Sequence, residues 1–154
     1  MSYERHNIKS VSKDLQKFVI KTPVLRFDII DSLCNCNVFF KCENFQHTGS
    51  FKYRAAINAI KKMPVEFKQT GVITHSSGNF AHALARAAYE LKIPCHIVMP
   101  NNTPNFKKSS VLSYTKNVIE CESNLKAREF TTIEILKNKN LYFIHPSNLS
   151  LIHI

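Results

Sequence analysis

At 154 residues, with hydrophobic residues at 44% and charged residues at 21%, the chain has the size and composition of one soluble globular domain. Its apolar runs are too short to cross a bilayer and its charged N-terminus leads into no signal-like apolar stretch, so a cytoplasmic protein with no membrane partner is expected. The formal charge of +10 is spread through every segment, the densest groups being the pairs Lys61-Lys62 and Lys107-Lys108, and without a basic stripe interleaved with aromatics it argues against a nucleic-acid partner.

In chain order, Ile8, Val11, Leu15, Phe18 and Val19 recur at helical spacing and predict an amphipathic helix over roughly 8–20, stopped before Thr22-Pro23. A short helical turn over 29–33, a turn over 34–37 and a strand over 38–41 follow. A polar turn ends at Thr48-Gly49-Ser50, after which Phe51, Ala55, Ala59, Ile60 and Met63 predict a second helix. Ser50 is its expected N-cap, which puts Lys52 in the first turn at the positive end of the helix dipole. That is an unfavourable place for an ammonium, and one that suits an amine required to attack a carbonyl. Beyond the break near Pro64, strands over 71–74, 94–99, 117–121 and 141–144 alternate with helices over 80–91, 105–114 and 125–137. Such alternation means βαβ units, and the expected fold class is α/β, a three-layer αβα arrangement on a parallel sheet.

Ligands of open parallel sheets bind beyond the carboxyl ends of the strands. The stretch Ser76-Ser77-Gly78-Asn79 is a loop of that kind: small residues let a ligand approach the backbone, and the free amides at the start of the next helix can hold an anion. The five cysteines form neither a paired disulfide framework nor a zinc-ligand spacing, so no metal is expected. Cys34 and Cys36 make a C-x-C pair, while Cys42, Cys95 and Cys121 read as small core residues.

Ser50-Phe51-Lys52-Tyr53-Arg54-Ala55-Ala56, preceded by Lys41-Cys42-Glu43-Asn44-Phe45-Gln46 and followed by Thr74-His75-Ser76-Ser77-Gly78-Asn79, resembles the serine racemase and serine/threonine ammonia-lyase family. These are pyridoxal-phosphate enzymes of the tryptophan-synthase-β-like fold. The likeness runs from Thr22-Pro23-Val24-Leu25 to His145-Pro146. It implies that Lys52 carries the cofactor covalently, that Phe51 and Asn79 contact it, and that Ser77 is a second catalytic residue on the opposite face. Ser76, Ser77 and Asn79 would hold the substrate, a small amino acid, in an intact protein that is a homodimer. The implied reaction is β-elimination from L-serine or L-threonine to a 2-oxo acid and ammonium; racemisation of serine, which uses the same residues, stands beside it.

Two departures from the family pattern stand out. Phe80 occupies the position where many members carry a histidine after Gly-Asn, which removes a hydrogen-bond donor and bears on specificity. The glycine-rich loop that holds the cofactor phosphate has no counterpart, since the glycines are at 49, 71 and 78 alone. The chain is therefore expected to be a fragment: residues 1–70 the N-terminal part of the large cofactor domain, 71–148 a small α/β domain, and 149–154 a non-native tail. That tail is what CTG TCT CTT ATA CAC ATC would encode, a string resembling a transposon end used to prepare sequencing libraries. On this expectation the apolar faces of 38–40 and of the Lys52 helix lack a sheet to pack against. The competing reading is a non-catalytic fragment or binding module that keeps the fold without turnover.

Overall fold

The computed structural model describes residues 5–147, with side chains from residue 8 onward, so the six-residue tail lies outside the described residues. Helix α1 (Arg5–Leu15) buries Val11 and Leu15, one helical turn apart on a single face. It ends earlier than its apolar spacing predicts, and a turn in which the Phe18 amide donates to the Leu15 carbonyl carries Phe18 and Val19 onto the core instead. Strand β1 (Val24–Leu25) pairs antiparallel with β2 (Phe40–Lys41), and α2 (Asp28–Cys34) lies between them. The predicted strand over 38–41 is thus shorter than its apolar run.

Helix α3 (Lys52–Lys62) starts one residue after Phe51, which is already helical in φ and ψ. Ser50 is not its N-cap. The Ser50 backbone is extended, and its buried hydroxyl has no hydrogen-bond partner among the described residues. Strand β3 (Val72–His75) follows, then α4 (Asn79–Glu90), β4 (Cys95–Pro100), α5 (Asn105–Leu112), β5 (Asn117–Cys121), α6 (Leu125–Asn138) and β6 (Tyr142–Phe143). The four later strands form one parallel sheet in the order β5-β4-β3-β6. Every residue of β3 and β4 is buried, as in parallel sheets covered on both faces.

The alternation along each strand divides the core. Val72, Cys95, Ile97 and Met99 join the layer of α3, α4 and α5, whereas Ile73, Val98 and Leu141 pack with Ile135 and Leu136 of α6 on the other face. The three-layer αβα reading holds. At Cys95 burial raises the thiol pKa to about 12, so this cysteine behaves as an apolar filler.

The expectation of a bare Lys52 helix is corrected. Tyr53, Ala56, Ile57 and Ile60 are buried in the same cluster as Ala81, Ala85 and Ala88 of α4, because small side chains let the two helices approach closely. Elsewhere in the N-terminal part, Phe27, Ile29, Leu33, Phe39 and Phe45 are each at least half exposed.

One glycine is indispensable to the sheet. Gly71 has φ +104°, and a Cβ there would lie 2.2 Å from the Pro94 carbonyl oxygen, so only glycine lets β3 begin beside β4.

Candidate active site

Three elements meet around an open cleft of about 330 Å³, within the range of ligand clefts, roughly 300–1,000 Å³. The start of α3 brings Phe51 and Lys52, the β3–α4 loop with the first residues of α4 brings Ser76 to Phe80, and α6 brings Arg128. Pro146 and Ser147, just past β6, form the remaining wall together with His75 at the end of β3. The cleft thus sits where an open parallel sheet places a ligand, beyond the carboxyl ends of its strands.

Lys52 is delivered by a strained turn. Thr48 and Gly49 both adopt left-handed backbone, with φ of 63° and 67°, and a β-branched residue there costs about 1–3 kcal/mol. The turn is held from outside. Glu43 accepts two hydrogen bonds of 2.8 Å from Arg54 and one of 2.6 Å from the Thr22 hydroxyl, while the Gln46 side chain bonds both backbone groups of Ile20. Burial pushes the Glu43 carboxyl up, but Arg54, Thr22 and Lys41 outweigh it, and the group titrates below the usual carboxylate range. This clamp ties the Thr22-Pro23 segment to the start of α3.

The Lys52 amine donates to the Pro146 carbonyl at 3.3 Å and lies 5.4 Å and 5.9 Å from the ring centres of Phe51 and Phe80. Among the described residues no carboxylate pairs with it. Across the cleft the Gly78 amide donates to the Ser76 hydroxyl at 3.4 Å, and the amides of Ser77, Asn79 and Phe80 bond to no protein group among the described residues. Phe80 is buried and belongs both to the cleft wall and to the core, so the residue that departs from the family pattern contributes an apolar surface beside Lys52.

His75 is packed against Phe143 at 5.6 Å and edge-on to His145 at 5.6 Å. Burial first, then His145 and Arg128, lower its pKa, so the ring is neutral and packed. The His82 ring lies tilted against that of Tyr114 at 5.7 Å, with its pKa lowered by burial and by Arg86, and does not line the cleft.

The structure therefore brings Phe51, Lys52, Ser76, Ser77 and Asn79 to one cleft. Two features went unread in the sequence. Arg128, with a buried Nε that has no partner among the described residues, reaches the cleft from a helix with no local motif to announce it. The Glu43–Arg54 pair lies inside the quoted motif, where opposite charges eleven residues apart across a turn were the available signal.

For pyridoxal phosphate the fit is direct at one end: an amine without a carboxylate partner faces a cleft whose far side offers unpaired amides and hydroxyls suited to a carboxylate. Among the described residues no group of three or more His, Cys, Asp or Glu side chains is placed to hold a metal, and no helix is long and apolar enough to cross a membrane.

Comparison with known proteins agrees. The chain is 40% identical over 147 residues to a serine racemase of Dictyostelium discoideum, covering 95% of this chain and 45% of that protein. It is 39% identical over 134 residues to a beta-hydroxyaspartate dehydratase of Paracoccus denitrificans, covering 87% of this chain and 42% of that protein. The fold superposes on maize serine racemase with a TM-score of 0.91 at 35% identity, over 99% of this chain and 46% of that one. The chain spans less than half the length of these relatives. The family model described as pyridoxal-phosphate dependent enzyme matches residues 15–153, and with nine-tenths of its length so matched the chain belongs to that family, whose cofactor is pyridoxal phosphate.

Proposed function

We propose that the chain provides the lysine and the substrate loop of a pyridoxal-phosphate enzyme that deaminates L-serine or L-threonine by β-elimination. The observation that carries the reading is that Lys52 and the loop 76–79, supplied by separate elements, line a single cleft. The cofactor, when bound, supplies an electron sink for the carbanion at Cα. Lys52, which would hold the cofactor covalently at rest and be freed when the substrate amine replaces it, is on this reading the base: its Nζ, near the Pro146 carbonyl and without a carboxylate partner among the described residues, takes the Cα proton. The amides of Ser77, Asn79 and Phe80, which bond to no protein group among the described residues, and the Asn79 side chain orient the substrate carboxylate. Loss of the β-hydroxyl as water leaves an enamine, which hydrolyses to the 2-oxo acid and ammonium.

Racemisation is the second reading, favoured by the 40% identity to a protein named serine racemase. It asks more of the site, since Ser77 must then return a proton to the opposite face of Cα, whereas elimination needs proton removal by Lys52 alone. Chiral analysis and oxo-acid detection on the same sample of the full-length protein separate the two. Ser77→Ala is expected to suppress racemisation far more than elimination; equal losses would make Ser77 a substrate-orienting group. Lys52→Ala is expected to abolish borohydride-trapped cofactor, and trapping at another lysine would overturn the assignment.

We further propose that 71–148 form the small domain and 1–70 the start of the large one, supported by the exposed apolar side chains of the N-terminal part. On that reading residues 1–154 alone keep the fold without turnover. Stoichiometric, Lys52-dependent cofactor binding with oxo-acid production by purified 1–154 would defeat it.

A further inference from the structure

The C-x-C pair has no part in the cleft, and its backbone is built for a specific chemistry. Helix α2 ends with Asn35 in the left-handed region, φ 50° and ψ 37°, and the amides of Asn35 and Cys36 both donate to the Asp31 carbonyl, the second at 3.2 Å. The first is the bond of a left-handed helix cap and the second the outer bond of a helix-reversing turn, which brings the backbone of the residue after the left-handed one back to the last helical turn. Cys36 occupies that position. Cys34 is the last residue of α2 and Cys36 the residue after its left-handed cap, so the two cysteines flank the same helix end.

Separation agrees with placement. The distance between Cα atoms two residues apart depends on φ and ψ of the residue between them. For left-handed helical values it equals that in an α-helix, about 5.4 Å from a 2.3 Å radius and 1.5 Å rise. Disulfides span Cα separations of about 4.4–6.8 Å. The turn is also pinned: Val38 donates to Asp31 Oδ1 at 2.7 Å, and Arg26 pairs with Asp31 and donates to Asn37. Both thiols are free and exposed, whereas Cys95 is buried and Cys42 and Cys121 are partly so.

We propose that Cys34 and Cys36 are a dithiol redox site that closes to an intrachain disulfide on reaction with a low-molecular-weight disulfide. One thiolate attacks a sulfur of the small disulfide, forming a mixed disulfide and releasing one small thiolate. The second cysteine, deprotonated, attacks the protein sulfur of that bond and releases the other. Two protein thiols are oxidised by two electrons, the small disulfide is reduced to two thiols, and the two protons go to the released thiolates or to solvent. The proposal is independent of the activity of the cleft.

Oxidised glutathione is the probe. Residues 1–154 are treated with it, remaining thiols are alkylated, and the chain is cut with trypsin. Cleavage after Arg26 and Lys41 isolates residues 27–41, which contain Cys34 and Cys36 and no other cysteine. The expected product is this peptide without alkyl groups and lighter by two hydrogens, restored by dithiothreitol. Cys36→Ser should leave Cys34 as a lasting glutathione adduct. Asn35→Val, which opposes the left-handed backbone by about 1–2 kcal/mol, should slow closure about tenfold, while Asn35→Gly should keep the parental rate. Separate adducts on both cysteines, a bond to Cys42, chain-linked dimers, or closure in Asn35→Val as fast as in the parent would each overturn the proposal.

Discussion

Arg54 and Glu43 set the position of Lys52 without touching the cleft. Truncating Arg54 to alanine leaves a partly buried carboxylate without its bidentate partner, and hydrogen bonds to charged groups contribute about 1.5–3 kcal/mol. Urea denaturation of Arg54→Ala is therefore expected to show a loss of that size, with Glu43→Gln and Arg54→Ala together losing less than the sum of the two. An additive double variant would mean that the pair is not coupled. At this scale the motifs around Lys52 and Ser77 were legible because each is local. Arg128 and Pro146 were not, since they reach the cleft only through the order of strands in the sheet, and Ser50 misled because its neighbour Phe51 takes the helical conformation first.

Among the elements, the two turns that introduce α3 and β3 carry the strain. Thr48 pays for a left-handed backbone that glycine adopts freely, so Thr48→Gly is expected to raise stability by about 0.5–1 kcal/mol after the entropy of the added glycine is set against the relief. A fall in the denaturation midpoint would show instead that the Thr48 side chain packs usefully. Gly71→Ala runs the other way: the strained φ alone costs about 1–3 kcal/mol, and the methyl group meets the Pro94 carbonyl as well. A wild-type melting temperature in Gly71→Ala would refute the tight approach of β3 to β4. The alternation of strands and helices announced these elements almost residue by residue from 71 onward. Before 71 the signal was weaker, because β1 and β2 are too short for a periodicity to develop and α1 stops where a turn, rather than a further helical turn, brings Phe18 inward.

For the whole molecule the titrating groups predict a stability window. His47, His75, His82 and His96 all have lowered pKa values, in each case first by burial, so the folded chain keeps them neutral. Below the ordinary histidine value of 6.5 the unfolded chain takes up protons that the folded chain refuses, and stability must fall. Asp31, lowered first by the Val38 amide, and Glu43 add a further loss as pH drops through the carboxylate range. On the alkaline side Tyr53, Cys95 and Cys121 have raised pKa values, first by burial, so stability falls again once the unfolded thiols and phenol ionise. Denaturation midpoints measured from pH 4 to 10 are expected to be highest between roughly 7 and 8.5; a flat profile below 6.5 would mean that the histidines are hydrated in the fold.

The place of β6 gives the molecule a history as well as a shape. It lies beside β3, from which two other strands and three helices separate it along the chain, and its amides at Tyr142 and Ile144 bond to Gly71 and Ile73 at 2.9 Å. Contacts of such long sequence separation are slow to close, because the loop entropy is spent before any bond is gained. Neighbouring strands β3, β4 and β5 should therefore assemble first, with the amine of Lys52 open to solvent until the last strand docks and Pro146 arrives beside it. Pulsed hydrogen exchange during refolding is expected to protect the Ile97 amide before that of Tyr142, and an amine-reactive reagent added in the interval should modify Lys52 more readily than it does in the finished fold. Simultaneous protection of both amides would show that the sheet closes in a single step.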